Sequence, residues 1–188
     1  MKISPSKKNI LKKIRQALSN TVPVPFNQNE GSNNIYKQAG QELEIEFAEN
    51  FTKTQGRFCF CENAEELLNQ LSALFTARKW NKIYCKEPFL INMLSAHPLN
   101  SSFTNDLKNC DVSVTGCEYL VARTGSIVLS SAQQNGRTTS VYSPVHICIA
   151  KTNQLVYDIK ESLQLLQEKY KDFPSLVTFA TGPSRTAD

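Results

Sequence analysis

Apolar residues recur three and four positions apart near the start of the chain. Ile10, Leu11, Ile14, Ala17 and Leu18 form one stripe, and lysines fill the other face. This predicts an amphipathic helix over 4–20, with Ser4 as its cap and Pro5 in the first helical position. Residues 21–34, TVPVPFNQNEGSNN, have no period. Two prolines, Gly31 and a polar cluster predict extended or irregular chain there. Helical spacing returns over 38–53, where Leu43, Phe47 and Phe51 lie four apart.

Further along, two periods interleave. Residues 57–61, RFCFC, alternate as a strand does, with both thiols on one face. Asn63-Ala64-Glu65-Glu66 has the form of a capping box, with Asn in place of Ser or Thr. It opens a helix to about Lys79 whose core face is Leu67, Leu68, Leu71, Leu74 and Phe75. Strands are predicted at 82–85, 111–115, 126–130, 145–150 and 175–180, with a short one at 155–157. A helical turn is expected at 88–95, and a helix over 158–170 capped by Asp158.

Strands alternating with helices predict an α/β layered fold with a largely parallel sheet. Between Val112 and Ala150 the strands follow one another too quickly for crossover helices, so an antiparallel or β-rich insert is expected there. The chain divides into an N-terminal helix and linker, 1–34, and an α/β domain, 35–188.

Charge changes the picture only locally. The formal net charge is +4, but six of the 21 basic residues lie between Lys2 and Arg15, and the first acidic residue is Glu30. Setting those six aside leaves 15 basic against 17 acidic residues, so the remainder is slightly acidic. That argues against a nucleic-acid-binding face on the domain. The basic helix reads either as a membrane- or partner-binding arm or as a helix packed on the domain with a solvated basic face. No apolar run reaches membrane-spanning length, and MKISPSKKNI lacks the apolar core of a secretory signal, so the expected location is cytoplasmic. The six cysteines, at 59, 61, 85, 110, 117 and 148, include no Cys-x-x-Cys pair, which points away from a structural zinc or iron–sulfur site in this chain.

Candidate chemistry gathers in two stretches. The last nine residues, ATGPSRTAD, follow a strand pattern, where open α/β sheets place their ligands. Gly182 permits close approach of a ligand to the backbone, and Ser184 or Thr186 can cap a helix start and leave amides for an anion. Arg185 can hold a carboxylate or phosphate in two parallel hydrogen bonds, and Asp188 can take a substrate hydroxyl or orient Arg185. A capped helix start with a solvated arginine accounts for the same residues. In the second stretch, Thr124-Gly125 precedes a buried-type strand, and Asn135-Gly136 marks a turn between two strands, followed by Arg137. His146, at the entry of the next strand, is a candidate general base or a half-buried structural histidine. No Ser-His-Asp order, Walker A loop, dinucleotide glycine fingerprint or HExxH motif is present, and His97 carries no motif.

Thr124-Gly125-Ser126, Arg137, Pro144-x-His146-Ile147 and the run from Gly182 to Asp188, GPSRTAD, together resemble the LUD-domain family. The resemblance is clear over 112–188 and thin before it. It implies a fold like the sugar-phosphate isomerase and CoA-transferase group: three layers, α/β/α, around a mostly parallel sheet. It also implies a part in bacterial oxidation of L-lactate to pyruvate beside partner proteins that carry the iron–sulfur clusters, with no cofactor in this chain. Family members often carry an acidic residue before the Thr-Gly, where this chain has Arg123. The family pattern also continues past the aspartate with a strand and a His-Gly-Pro segment, so the resemblance implies a C-terminal truncation.

Two functions follow as expectations. One is an accessory or ligand-binding subunit of an L-lactate-oxidising iron–sulfur system that binds a small carboxylate. The other is a stand-alone enzyme of the isomerase or transferase type that binds a phosphate or CoA and uses a carboxylate, Glu118 or Asp111, as base or nucleophile.

Overall fold

A computed structural model describes residues 5–19, 40–96, 102–135 and 137–182, and the side chains of 7–16 in the first of these. The chain separates into two compact units, Met1–Gln38 and Ala39–Asp188. In the first, α1 spans Pro5–Ser19 and opens on the proline, whose missing N–H costs nothing in a first turn. The linker expected at 21–34 and the Ser4 cap lie outside the described residues.

The second unit carries two four-stranded sheets. The first has the order β2-β1-β3-β6, built from β1 (Lys82–Tyr84), β2 (Ser102–Thr104), β3 (Val112–Thr115) and β6 (His146–Cys148). All its pairings are parallel, with Ile83 opposite Val112 and Val114 opposite Ile147. The helices α3 (Ala64–Arg78) and α4 (Pro88–Ser95) precede or follow β1. Their Leu71, Phe75, Leu90 and Leu94 pack with Ile83, Val112 and Val114 into one core. The side chains between those positions point the other way. Ser113 donates to the carbonyl of Thr139 on that second face, at the start of the short helix α5 (Thr139–Tyr142).

The second sheet has the order β7-β4-β5-β8, from β4 (Tyr119–Val121), β5 (Ser126–Ser130), β7 (Leu155–Val156) and β8 (Val177–Ala180). Alternation sorts its two faces. Leu120, Ile127 and Ala180 pack against Phe47 of α2 (Leu43–Lys53). Val121, Val128, Val156 and Phe179 pack against Leu166 of α6 (Ile159–Lys169). Helix, sheet and helix thus form three layers, and four of the six described strand pairings are parallel. The expected capping box opens α3: Asn63 accepts from the Glu66 amide at 2.9 Å, while the Glu66 carboxylate reaches one residue further back, to the Glu62 amide.

Several expectations are corrected. Residues 57–61 form no strand among the described residues: Phe58 turns its ring edge onto Phe47, and Phe60 stays 55% exposed with no ladder beside it. The strand at the end of the chain, β8, is paired with β5 and runs antiparallel to it. Since β5 is itself antiparallel to β4, and β4 is parallel to β7, the strands β4, β7 and β8 all run one way. Asn135 does not open a hairpin, because β5 and β6 belong to different sheets and the chain passes through α5 between them. β2 and β4 were not predicted; each is three residues long, too short for a period. Among the described residues no helix is long and apolar enough to cross a membrane.

Candidate functional site

The common direction of β4, β7 and β8 brings three chain segments to one edge of the second sheet. After β4 the chain makes a single 3-10 turn, Ala122–Thr124, and reverses at Gly125 into β5. Gly125 has φ +62, and a Cβ there would lie 2.4 Å from the backbone nitrogen of Phe51. The tight turn therefore touches the C-terminal end of α2, and only glycine permits both features. Asn50 secures the contact by donating to the carbonyls of Ala122 (2.9 Å) and Arg123 (3.2 Å).

Next to this turn the register of β5 and β8 places Ile127 opposite Ala180. One position further on, the hydroxyls of Ser126 and Thr181 share a 2.7 Å hydrogen bond, and Ser126 shares another of 2.7 Å with Thr124. Three hydroxyls thus line up across the ends of two strands, on the face that α6 covers. Gly182 follows with φ +94, and a Cβ there would sit 2.4 Å from the Thr54 carbonyl oxygen. Arg123 donates from Nε and Nη2 to the two Asp158 oxygens, each at 3.2 Å. Asp158 also caps α6 through the Lys160 amide. Burial pushes the Asp158 carboxyl up, but the Arg123 bonds and charge and the helix amides outweigh it, so the group stays ionised below its ordinary range.

A second polar centre sits at the C-terminal ends of the parallel strands. The Thr115 hydroxyl donates to the Gly116 carbonyl at 2.8 Å and lies 2.7 Å from His146 Nε2. Because that hydroxyl has one proton, His146 donates to it from Nε2. Burial holds His146 below its ordinary pKa, so it is neutral near pH 7. Glu87 accepts from the Gly116 amide (2.9 Å) and from the Asn135 side chain, whose oxygen in turn accepts from the Lys86 amide. Thr139 donates to the Asn135 carbonyl at 2.6 Å. The cavity lined by Thr115, Gln133, Asn135 and Thr139 has about 10 Å³, room for at most one water.

The residues picked out from sequence are therefore divided. Thr124, Gly125 and Gly182 come together at the hydroxyl row. His146 belongs to the other sheet. Arg137 donates to Ser175, just before β8, beyond the opposite end of the β5–β8 pair and about 20 Å along the strands from Ser126. Ser184, Arg185, Thr186 and Asp188 lie outside the described residues. Ser126 and Thr181 were missed as ligand candidates. Their signal is weak: a hydroxyl beside a glycine at each of two strand ends, which acquires meaning only once the strands pair. Of the two carboxylates considered as bases, Glu118 is buried and accepts from Ser130, Lys169 (2.7 Å) and Tyr170 (2.9 Å). Asp111 accepts from the Asn81 and Lys82 amides, which hold it ionised below its ordinary range.

Comparison with known proteins places this arrangement. Over 85 residues, 45% of this chain and 36% of the relative, the sequence is 31% identical to an uncharacterized protein of Neisseria meningitidis serogroup B. It is 29% identical over 84 residues to Lactate utilization protein C of Bacillus licheniformis, covering 43% of this chain and 35% of that one. To Lactate utilization protein C of Deinococcus radiodurans it is 30% identical over 84 residues, 44% of this chain and 39% of the relative. The matched part thus spans little more than a third of each curated relative's length. The crystal structure of a DUF162 family protein from Deinococcus radiodurans superposes with a TM-score of 0.63 at 17% identity, over 74% of this chain and 87% of that one, which establishes the shared fold. The LUD domain model matches residues 45–188, the whole of the α/β part from α2 onward, and the chain belongs to the LUD domain family.

Proposed function

We propose that this chain is a small-carboxylate-binding subunit of a lactate-utilisation system, working beside iron–sulfur partner proteins and holding no cluster itself. The observation that carries this reading is the hydroxyl row Thr124–Ser126–Thr181, set between two glycines of positive φ at the sheet edge from which GPSRTAD departs. L-lactate offers a carboxylate and a hydroxyl. Neutral hydroxyls and an arginine suit that pair: the exposed Thr181 and half-buried Thr124 meet the ligand, Ser126, itself 1% exposed, holds the two in place, and Arg185 supplies the positive charge. Arg137 is assigned no part, being engaged at the other end of the strands. His146 is not assigned the substrate proton, because its Nε2 is committed to Thr115 in the other sheet. Electrons leaving the substrate would pass to a partner's centre.

The reading as an isomerase or transferase requires a free carboxylate near the anion. Glu118 and Asp111 are both consumed by structural hydrogen bonds. The Asp158 carboxylate also occupies the α6 N-terminus, where a phosphate would otherwise settle.

Isothermal titration of the whole chain with L-lactate, pyruvate, a sugar phosphate and CoA tests the proposal. We expect binding of lactate or pyruvate, weakened at least about tenfold in Ser126→Ala and in Arg185→Ala. Binding of the phosphate or CoA alone would move the protein to the isomerase or transferase class. No binding of any of the four would remove the ligand-binding role.

A further inference from the structure

The segment between α2 and α3 carries Cys59 and Cys61 away from the hydroxyl row. Two residues apart in a regular strand, side chains on one face are separated by about 6.6 Å at their origins. Here the backbone is irregular, and the two sulfur atoms approach to 4.0 Å. Cys59 is exposed and Cys61 half-exposed, whereas Cys85, Cys110 and Cys117 are buried. Cys148, the remaining thiol, is hydrogen-bonded to Cys117. The pair at 59 and 61 is therefore the dithiol that solvent reaches.

We infer that Cys59 and Cys61 form a chelating site for a single thiophilic d10 metal ion, with Cu(I) as the ion that fits. With metal–sulfur bonds of about 2.3 Å, one ion spans 4.0 Å at an S–M–S angle of about 120°. That angle suits a three-coordinate, trigonal soft ion and leaves its third position open to an external thiol. A tetrahedral zinc site needs four donors. Among the described residues no group of three or more His, Cys, Asp or Glu side chains is placed to hold a metal, so the chain does not complete such a shell. Soft thiolates select Cu(I) over harder ions. The step is a proton exchange without redox change: Cu⁺ and two thiols give a bis-thiolate complex with charge −1 and two released protons. Because both thiols give up their protons to the metal, binding strengthens as pH rises.

The test is an anaerobic titration of the full reduced chain with Cu(I), supplied as its acetonitrile complex, against a chromophoric Cu(I) chelator. The expected result is one ion bound per chain in competition with the chelator. Affinity should fall at least tenfold in Cys59→Ser and in Cys61→Ser, and be unchanged in Cys110→Ser. For the wild type it should rise as much as 100-fold per pH unit, the signature of two protons released. Circular dichroism confirms that the serine variants fold, as expected for substitutions at the surface. Failure of the wild type to take up an ion overturns the site, as does full retention of affinity in both serine variants. Neither result bears on the carboxylate proposal, which concerns other residues.

Discussion

The two sheets of this domain treat polar side chains differently. In the parallel sheet, Glu87, Asn135, Thr115, Thr139 and His146 each find a partner within the protein, around a cavity no larger than a water. In the mixed sheet, Thr124, Ser126 and Thr181 bond chiefly to one another at the end of the strands, beside two glycines of positive φ. The physical reason is connectivity. In the parallel sheet the connection from β5 to β6 brings Asn135 and Thr139 against Glu87 and Thr115 and fills the strand ends. The antiparallel β4–β5 and β5–β8 pairs set the start of one strand beside the end of another, so short polar residues from distant positions meet at an edge. The closed polar centre stabilises the fold; the edge is the place we propose for a ligand.

The largest effect should come from the joint between the sheets. Glu118→Ala removes a fully buried carboxylate and leaves Lys169, Tyr170 and Ser130 without their common acceptor. Burial alone would lower the Lys169 pKa, but the Glu118 bond and charge raise it instead, which fits a working pair. Denaturant unfolding should show a loss of about 3–5 kcal/mol.

Gly125→Ala comes next. Its Cβ meets the α2 backbone while the chain holds a left-handed φ, so about 2–3 kcal/mol of stability should go. Carboxylate binding should disappear with it in the same preparation.

Asn135→Ala sharpens the contrast. It deprives Glu87 and the Lys86 amide of a partner, at a cost of about 1–3 kcal/mol, yet ligand affinity should stay at the wild-type value. A large affinity loss in this folded variant would place the ligand at the parallel sheet instead.

The parallel-sheet centre should also respond to acid. His146 is half-buried, and desolvation holds its folded pKa below the ordinary 6.5. Its contribution is therefore complete above 6.5 and is lost as pH falls from there through the folded value. Stability measured from pH 7.5 to 5 should decline, and His146→Gln should flatten part of that slope. An unchanged slope would show that His146 is not the group responsible. The smallest stability change belongs to Ser126→Ala, about 0.5–1.5 kcal/mol, although its expected effect on ligand affinity is among the largest.

Local chemistry made much of this legible. Asn63 and Asp158 cap the helices they were expected to cap, because capping depends on residues within one turn. The apolar period of α3 and the continuous runs of β3 and β5 located the core for the same reason. RFCFC misled because alternation makes a strand only when a neighbouring edge is available, and α2 takes that side with Phe47. Arg137 misled because chain proximity to a strong turn says nothing about which end of the sheet the turn occupies.

The helix expected from residue 38 begins only at Leu43, but the sequence by itself determined the α/β class, the starts of α3 and α6, the two glycines where the backbone comes close, and the family to which the chain belongs. Each of these is written in neighbouring residues or in a short motif. Only the tertiary structure decided that Thr124, Ser126 and Thr181 form one row, and that His146 and Arg137 stand apart from it. Those facts depend on strand direction, on register and on which surface a neighbouring helix already fills. Such long-range pairings are fixed by packing the whole chain at once, and no local pattern encodes them.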